Sequence, residues 1–230
     1  LSGGKDSVSL TTILHDTFAD DPRVELRALS IQEGIEDYRD RSIEAARELT
    51  GERGIPHEVV SYEEEFGVRV DELSDQDDDV SACGYCGVFR RDVLGRYAAD
   101  WGADKLLIGH NLDDESETAM MNFLEGNISQ MAKHFDASFG PFPGSDHAVT
   151  RAESEAFVPR AKPLRDVPEH EVSLYAQLRD LPVYSPECPH SEESYRGEVE
   201  DMLARFEERH PGTRHSIVSG YEDLAAMAAA

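Results

Sequence analysis

The sequence predicts an α/β protein built on a doubly wound parallel sheet with flanking helices. Short apolar stretches, such as those at 24–32 and 56–62, alternate with longer segments whose apolar residues recur at helical spacing. Glycine-rich or polar turns stand where a strand gives way to a helix. A length of 230 residues suits one well-cored domain, so we expect residues 1–230 to form a single domain.

The elements follow one another in a regular order. We expect a helix from Asp6 or Ser7, a strand at 24–32, a helix at 38–54 and a strand at 56–62. A helix at 88–103 follows the C-x-x-C pair, and a strand at 104–110 runs into a helix at 111–127. After a long loop at 129–157, rich in Gly, Pro, Ser and His, the pattern resumes with a strand-like entry and helix within 159–184 and a helix within 194–213.

The charge balance is strongly acidic. The chain has 48 Asp and Glu residues against 22 Lys and Arg residues, a formal net charge of −26. Because most of these acids are spread along the chain, they predict a solvated acidic surface of the kind that keeps halophilic proteins soluble. In salt at molar concentration the Debye length is about 3 Å, so repulsion between charges farther apart is largely screened. The net charge therefore does not exclude a nucleic-acid partner.

Composition also bears on the compartment. No apolar run approaches the roughly 18–20 residues that a membrane span needs, and no leader is visible, so we expect a cytoplasmic protein without a membrane partner. Cys83, Cys86 and Cys188 are too few for a disulfide framework. Their odd number and the C-x-x-C pair indicate metal or sulfur chemistry in a reducing compartment.

The first candidate site is the turn at the start of the chain. Glycines there let the backbone approach a phosphate closely, and the amides of the following helix start can bind an anion. The candidate phosphate-binding residues are Ser2, Gly3, Gly4, Lys5, Asp6 and Ser7. The ATPase P-loop pattern is absent. An ordinary glycine turn with an Asp or Ser helix cap is the alternative.

The second candidate site is the segment IGHNLDDESET at 108–118. Gly109 and His110 lie where a strand ends, and Asp113 and Asp114 follow at the start of a helix. In a parallel sheet this is the carboxyl edge, where the first motif also lies. Paired carboxylates facing a phosphate suit Mg²⁺. The alternatives are helix capping by the two aspartates and a structural role for His110.

Together, SGGKDS and GHNLDDESET resemble the two signature elements of the PP-loop (N-type) ATP pyrophosphatases, which are similar to adenine nucleotide alpha hydrolases in fold. Those enzymes cleave ATP between the α and β phosphates and adenylate a carbonyl oxygen. The resemblance implies ATP and Mg²⁺ as ligands, with the nucleotide base beside the strand end at Ser30–Ile31. It also implies that Lys5 and Asp114 take part in catalysis.

The cysteines narrow the resemblance. CGYCGVFRR at 83–91 and ECPHS at 187–191, with QEGIEDYR, KPLRDVPEHEV and YRGEVEDML, resemble the tRNA 2-thiouridine synthetases of the TtcA/TtuA/Ncs type, specifically the archaeal–eukaryotic TtuA/Ncs group. The resemblance covers nearly the whole chain. It implies a 4Fe–4S cluster held by Cys83, Cys86 and Cys188 with one iron left open. A Zn²⁺ site that includes His190, persulfide chemistry without a metal, and three structural thiols remain alternatives.

Arg90 and Arg91 follow the C-x-x-C pair. They could lower the pKa of the thiols or contact tRNA phosphate, and Arg90 is included in the catalytic set. A solvated helix face is the alternative for both.

The resemblance implies a two-step reaction. The O2 atom of a tRNA uridine, with the wobble uridine favoured and the T-loop uridine the alternative, attacks the α-phosphate of ATP. Sulfur at the cysteine site then replaces the adenylated oxygen. The implied partners are tRNA, a ubiquitin-like sulfur carrier and a second copy in a homodimer.

Relatives carry terminal zinc-binding cysteine modules that this sequence lacks, and a first strand before Leu1 is also missing, so we expect a trimmed core. Two other functions stay open. One is a different PP-loop ligase or amidotransferase with a structural metal, and the other is a non-catalytic module that binds a nucleotide or tRNA.

Overall fold

The computed structural model describes residues 1–73, 82–127, 131, 158–191 and 195–228. The chain divides into two compact units. The first comprises Leu1–Leu94 and His170–Glu192, and the second comprises Gly95–Glu169 and Glu193–Ala230. Within the described residues, every helix is too short or too polar to cross a membrane.

The first unit is built around two parallel strands. Strand β1 pairs with β2 in register from Ala28 opposite His57 to Gln32 opposite Ser61. Its elements in chain order are α1 (Lys5–Phe18), β1 (Ala28–Gln32), α2 (Asp40–Arg53), β2 (His57–Ser61), α3 (Tyr62–Phe66) and α4 (Val70–Leu73). Helix α5 (Ala82–Asp100) begins in this unit, α7 (Glu169–Leu178) ends in it, and a 3₁₀ turn follows at Pro189–Ser191.

Helix α2 forms much of the core of the first unit. It packs on both strands and on α1. Its inward positions Ile43, Ala46 and Leu49 recur at three-residue spacing and are buried, Ala46 and Leu49 completely. The helix ends at Gly54, whose left-handed φ of 63° is favourable for glycine. This packing holds the loop before α1 in place.

In the part of the chain that the structure describes, the second unit contains a shorter parallel pair of strands, three complete helices and the end of α5. Strand β3 pairs with β4 at Leu106 opposite Arg160 and Leu107 opposite Ala161. Its further elements are α6 (Leu112–Leu124), α8 (Tyr195–Arg209) and α9 (Thr213–Ala228), with β3 at Leu106–Leu107 and β4 at Arg160–Ala161. Helices α8 and α9 pack on α6, which carries the second candidate motif at its start.

The predicted alternation of helices and parallel strands is confirmed, with some differences in detail. The described strands form two separate two-stranded sheets rather than one continuous sheet. Helix α5 begins at Ala82 and therefore includes the C-x-x-C pair, because the helix continues through Gly84 and Gly87, which are unfavourable in a helix but tolerated. Helices α3 and α4 were not expected, since segments of five and four residues show no periodicity. The predicted loop at 129–157 lies, apart from Met131, outside the described residues.

Candidate functional site

The Ser2–Ser7 turn is preorganised by its own hydroxyl groups. Ser2 Oγ lies 3.0 Å from Ser7 Oγ, the Ser2 amide donates to Ser7 Oγ at 3.1 Å, and Ser7 Oγ donates to the Gly4 carbonyl at 3.1 Å. Gly4 is the N-cap of α1, and no side chain caps this helix start. The alternative of an Asp or Ser cap is therefore not realised, which favours the anion-binding interpretation. Lys5 Nζ pairs with Asp6 at 3.0 Å.

Gly3 fits a position that other residues could not occupy. Its φ is +80°, and a Cβ atom there would lie 1.9 Å from the carbonyl oxygen of Ser42 in α2. The Gly3 carbonyl accepts a hydrogen bond from the Tyr184 amide at 2.9 Å. Tyr184 is in turn covered by the Arg41 guanidinium, 4.2 Å from the ring centroid. The turn is thus fixed between α2 and the segment that leads to Cys188.

The strand end near the turn lies one residue beyond Ser30–Ile31, and the position of the nucleotide base stays a prediction. Ile31 is buried within β1 at 9% exposure, and the strand continues to Gln32. A cleft of about 550 Å³ lies at the carboxyl ends of β1 and β2, lined in part by Gln32, Val60 and Ser61. Ligands of parallel sheets bind at such ends, so Gln32 is the better candidate for a residue near the base.

The three cysteines belong to the first unit and form no disulfide. Cys83 and Cys86 lie in the first turns of α5, where a three-residue spacing places them on one helix face. Cys83 Sγ donates to the His190 carbonyl at 3.5 Å. Arg90, four residues after Cys86, approaches Cys86 Sγ at 3.4 Å.

The aromatic residue Tyr62 supports the same turn of α5. It is fully buried, its hydroxyl donates to the Cys86 carbonyl at 3.1 Å, and its ring packs against Phe66 and Phe89. Burial raises the pKa of the Tyr62 phenol well above its ordinary value. The phenol therefore stays protonated and remains a donor.

The thiols share an electrostatic neighbourhood. Burial raises the pKa of Cys86. The Arg90 cation lowers this pKa but offsets the effect of burial only in part, and a negative charge on Cys188 raises it further. Burial also raises the pKa of Cys188, and a charge on Cys83 adds to the effect. Arg90 lowers the pKa of Cys86, as the sequence suggested it could, but burial outweighs the cation and the net shift is upward.

The thiols are suitable ligands for a metal or cluster by their chemistry, although their side chains are not arranged around a common metal position. Among the residues that the structure describes, no three His, Cys, Asp or Glu side chains are already arranged as metal ligands. Three free thiols near a cation are nonetheless a donor set for iron or zinc, and coordination deprotonates a thiol whatever its free pKa. The His190 Nε2 atom lies 2.9 Å from Asp71, so Nδ1 is the ring nitrogen with which His190 would bind a zinc ion, and the zinc alternative stays open.

A buried carboxylate links the two ends of this unit's candidate site. Glu33 is 1% exposed, and its carboxylate receives two bonds from Arg39, at 2.8 Å and 2.6 Å. Arg90 donates to the same carboxylate at 2.9 Å. Arg39 also reaches the Ser2 carbonyl at 3.5 Å. Glu33 and Arg39 lie in the QEGIEDYR segment, and their residue types alone indicate no role.

The second motif starts helix α6 in the second unit. Asn111 and Asp114 form a reciprocal capping box, each side chain accepting from the other's amide at 3.1 Å. Asp113 accepts from the Glu169 amide at 2.8 Å and pairs with Arg214 at 2.9 Å. The capping alternative is thus realised for Asp114. It leaves Asp114 Oδ1 with a looser neighbour, Arg196 at 3.6 Å.

The rest of α6 carries two buried acids that sequence reasoning missed. Glu115 pairs with Lys162 at 2.7 Å, and the half-exposed His110 ring lies 3.6 Å from the same carboxylate. Glu117 contacts Arg196 at 3.0 Å and Arg214 at 3.1 Å. Burial raises the pKa of Glu117 to about 7, an effect that the two arginines offset only in part. Gly109 lies between β3 and α6.

Comparison with known proteins identifies the family. A family model described as a PP-loop domain matches residues 1–196. The chain is 60% identical over its 230 residues to the tRNA 2-thiolation protein NcsA of Haloferax volcanii, and it covers 70% of that relative. The chain belongs to the PP-loop family, among the tRNA 2-thiolation proteins. The resemblance expected from the two motifs and the cysteines is confirmed.

More distant relatives agree with this assignment. The chain is 35% identical to the cytoplasmic tRNA 2-thiolation protein 1 of Aspergillus niger, with 98% of this chain and 63% of that one covered. A solved structure, the U34-tRNA thiolase NcsA from Methanococcus maripaludis with its [4Fe-4S] cluster, matches with a TM-score of 0.85 and 36% identity. The match covers 98% of this chain and 71% of the solved one. The chain thus has the PP-loop fold and spans about two thirds of these relatives.

Two of the residues that sequence reasoning missed in this PP-loop protein had a detectable signal. Glu33 follows directly after a buried strand, and Lys162 lies in KPLRDVPEHEV, a stretch that supported the family resemblance. A charged residue beside an apolar strand end is unusual unless it is paired. That signal marks Glu33 as buried and partnered, but it does not identify the partners.

Proposed function

We propose that this protein is a tRNA-uridine 2-sulfurtransferase that uses ATP to replace the C2 oxygen of a tRNA uridine with sulfur. The observation that carries the proposal is the combination of a phosphate-binding turn and three free thiols within one compact unit of a PP-loop chain. The names of the relatives support it. The wobble uridine is the favoured position, since the similar solved protein is named a U34-tRNA thiolase.

In the first step, the chain holds ATP and activates the uridine. Amides at the start of α1 and the Lys5 ammonium bind the phosphates, and Asp6 positions Lys5. The uridine O2 attacks the α-phosphate, the bond to the β-phosphate oxygen breaks, and pyrophosphate leaves. Asp114 is the better Mg²⁺ ligand of the aspartate pair, because both oxygens of Asp113 already have close partners.

In the second step, sulfur attacks C2 and AMP leaves with the former O2. Cys83, Cys86 and Cys188 would hold a 4Fe–4S cluster, which when bound supplies an iron on which sulfur can be presented. Arg90 lies beside Cys86 and contributes positive charge where the sulfur donor and the leaving AMP are both anionic. The implied partners are tRNA, a ubiquitin-like sulfur carrier and a second copy of the chain, in the cytoplasm.

The proposal is tested by deleting the gene in its native host and measuring thiolated nucleosides in bulk tRNA by mass spectrometry. We expect 2-thiouridine derivatives to disappear, and the wild-type gene to restore them. A Cys188→Ser gene should fail to restore them, because one of the three thiol ligands is gone. Unchanged 2-thiouridine and 2-thioribothymidine in the deletion strain would contradict the proposed function.

Metal and sulfide analysis of the wild-type protein, purified anaerobically, identifies the cofactor. We expect iron and sulfide in the amounts that one 4Fe–4S cluster per chain requires. Stoichiometric zinc without iron would replace the cluster by the zinc alternative, and activity without either metal would favour persulfide chemistry.

A further inference from the structure

We propose that Glu33 is a positioning residue that connects the phosphate-binding turn to the thiol site. The carboxylate lies between Arg39, which contacts Ser2 in the turn, and Arg90, which contacts Cys86. The inference rests on the proposed function, and it assigns a role to residues outside the turn, the aspartate pair and the cysteines.

The geometry makes Glu33 a shared support rather than an isolated ion pair. Arg39 Nε and Nη2 bind its two oxygens at 2.8 Å and 2.6 Å, a planar arrangement that fixes both groups. Arg90 Nη2 donates to Oε1, the oxygen that also accepts from Arg39 Nη2. A displacement of Arg39 therefore moves the oxygen that orients Arg90.

Burial makes this link stiff. The Glu33 side chain is 2% exposed and that of Arg39 is 11% exposed. The Glu33 carbonyl also accepts from the Val70 amide at 3.1 Å. A buried carboxylate cannot exchange its arginine partners for water without a large cost, so it stays where both guanidinium groups can reach it.

The two ends of the link lie beside the proposed phosphate site and the proposed sulfur site. Arg39 Nη1 reaches the Ser2 carbonyl at 3.5 Å, within the turn that binds phosphate. Arg90 Nη2 reaches Cys86 Sγ at 3.4 Å. Nucleotide binding that tightens the turn would pass through Arg39 and Glu33 to the charge that faces the sulfur site, so that sulfur chemistry is favoured when ATP is present.

The test compares the wild-type protein with the Glu33→Gln variant, both as the full chain. The substitution keeps the shape of the side chain and removes its charge. Glu36→Gln is the matched control, because Glu36 lies three residues away on the exposed part of the same loop. Thiolation of tRNA should fall roughly tenfold to a hundredfold in kcat for Glu33→Gln, the scale of loss from a misplaced reacting group. The KM for ATP should stay within about threefold, since the turn itself is intact.

A second readout does not depend on activity. Amide hydrogen exchange is measured with and without α,β-methylene ATP, which cannot be cleaved at the reactive bond. In the wild type and in Glu36→Gln, the analogue should slow exchange both in the Ser2–Ser7 turn and in the first turns of α5. In Glu33→Gln it should slow exchange only in the Ser2–Ser7 turn.

Three outcomes would overturn the inference. The first is a kcat of Glu33→Gln equal to that of the wild type, and the second is an analogue that still slows exchange in α5 of Glu33→Gln. The third is faster exchange of Glu33→Gln throughout the unit without nucleotide, which indicates a purely structural role. If Glu33→Gln does not fold, Arg39→Met removes the contact with Ser2 while Arg90 still neutralises Glu33, and it should lose the α5 response alone. A wild type without thiolation activity contradicts the proposed function, whereas the exchange experiment still decides the role of Glu33.

Discussion

At the scale of single residues, the space beside Gly3 excludes a side chain from the turn that we propose as the phosphate site. A methyl group there would overlap the Ser42 carbonyl, and the φ of +80° adds backbone strain of about 1–3 kcal/mol for a non-glycine residue. The turn can relieve the overlap only by moving away from α2, which shifts the amides proposed to bind the phosphates. On that proposal, Gly3 couples the packing of α2 to nucleotide binding.

Gly3→Ala is expected to weaken ATP binding by about tenfold or more, equivalent to at least about 1.4 kcal/mol. Binding is measured by titration calorimetry with α,β-methylene ATP. Gly51→Ala is the control, because Gly51 is inside α2 and a Cβ there meets nothing within 4 Å. That variant should bind normally and unfold at a slightly higher temperature. Normal affinity in Gly3→Ala would show that the turn tolerates displacement.

The residues that the sequence predicted are those whose type carries the chemistry. Cysteines in a C-x-x-C pair and glycines in a polar turn are recognisable without knowledge of their neighbours. Glu33 is different, because its role depends on Arg39, six residues away, and on Arg90, 57 residues away. Only the tertiary structure brings those charges together, so the sequence left this part of the site undetermined.

At the scale of elements, the start of α6 is tied to α9 by Arg214. This guanidinium is 6% exposed and contacts Asp113, Ser116 and Glu117. Removing it takes the paired cation from Asp113 and leaves the buried Glu117 with Arg196. Breaking a buried pair in this way typically costs about 3–5 kcal/mol.

Arg214→Ala should therefore lower the free energy of unfolding of the second unit by about 3–5 kcal/mol. Trp101, the single tryptophan of the chain, lies in that unit and reports its unfolding by fluorescence in denaturant. Arg205→Ala is the control, since Arg205 is exposed on α8, and it should change the free energy by no more than about 0.5 kcal/mol. Equal stabilities of the two variants would mean that the ion pairs of Arg214 contribute nothing net.

The elements themselves were largely predictable, and the exceptions have physical causes. Helices α1, α2 and α6 show clear apolar periodicity and were predicted within a few residues. Helix α9 was missed because its sequence, rich in small residues, gives a weak pattern, and its packing on α6 supplies the missing stabilisation. The extent of each sheet depends on pairing between distant strands, which periodicity does not report.

At the scale of the whole molecule, the main feature is the formal charge of −26. Such a chain repels itself, and the repulsion acts against folding unless salt screens it. A protein that also binds tRNA then needs local cations rather than its overall field, and the sequence offers Arg90 and Arg91 as candidates for this role. The 60% identity to a haloarchaeal relative agrees with a surface suited to high salt.

This charge predicts a melting temperature that rises with KCl between about 0.2 M and about 2 M, the range over which the Debye length shrinks from about 7 Å to about 2 Å. The repulsion among acids is relieved as the screening length falls below their spacing. The measurement is circular dichroism at increasing KCl, with sucrose as the control because it stabilises proteins without screening charge. NaCl should act like KCl at equal ionic strength. A melting temperature that is flat in salt, or that rises only with sucrose, would contradict the role assigned to the acidic surface.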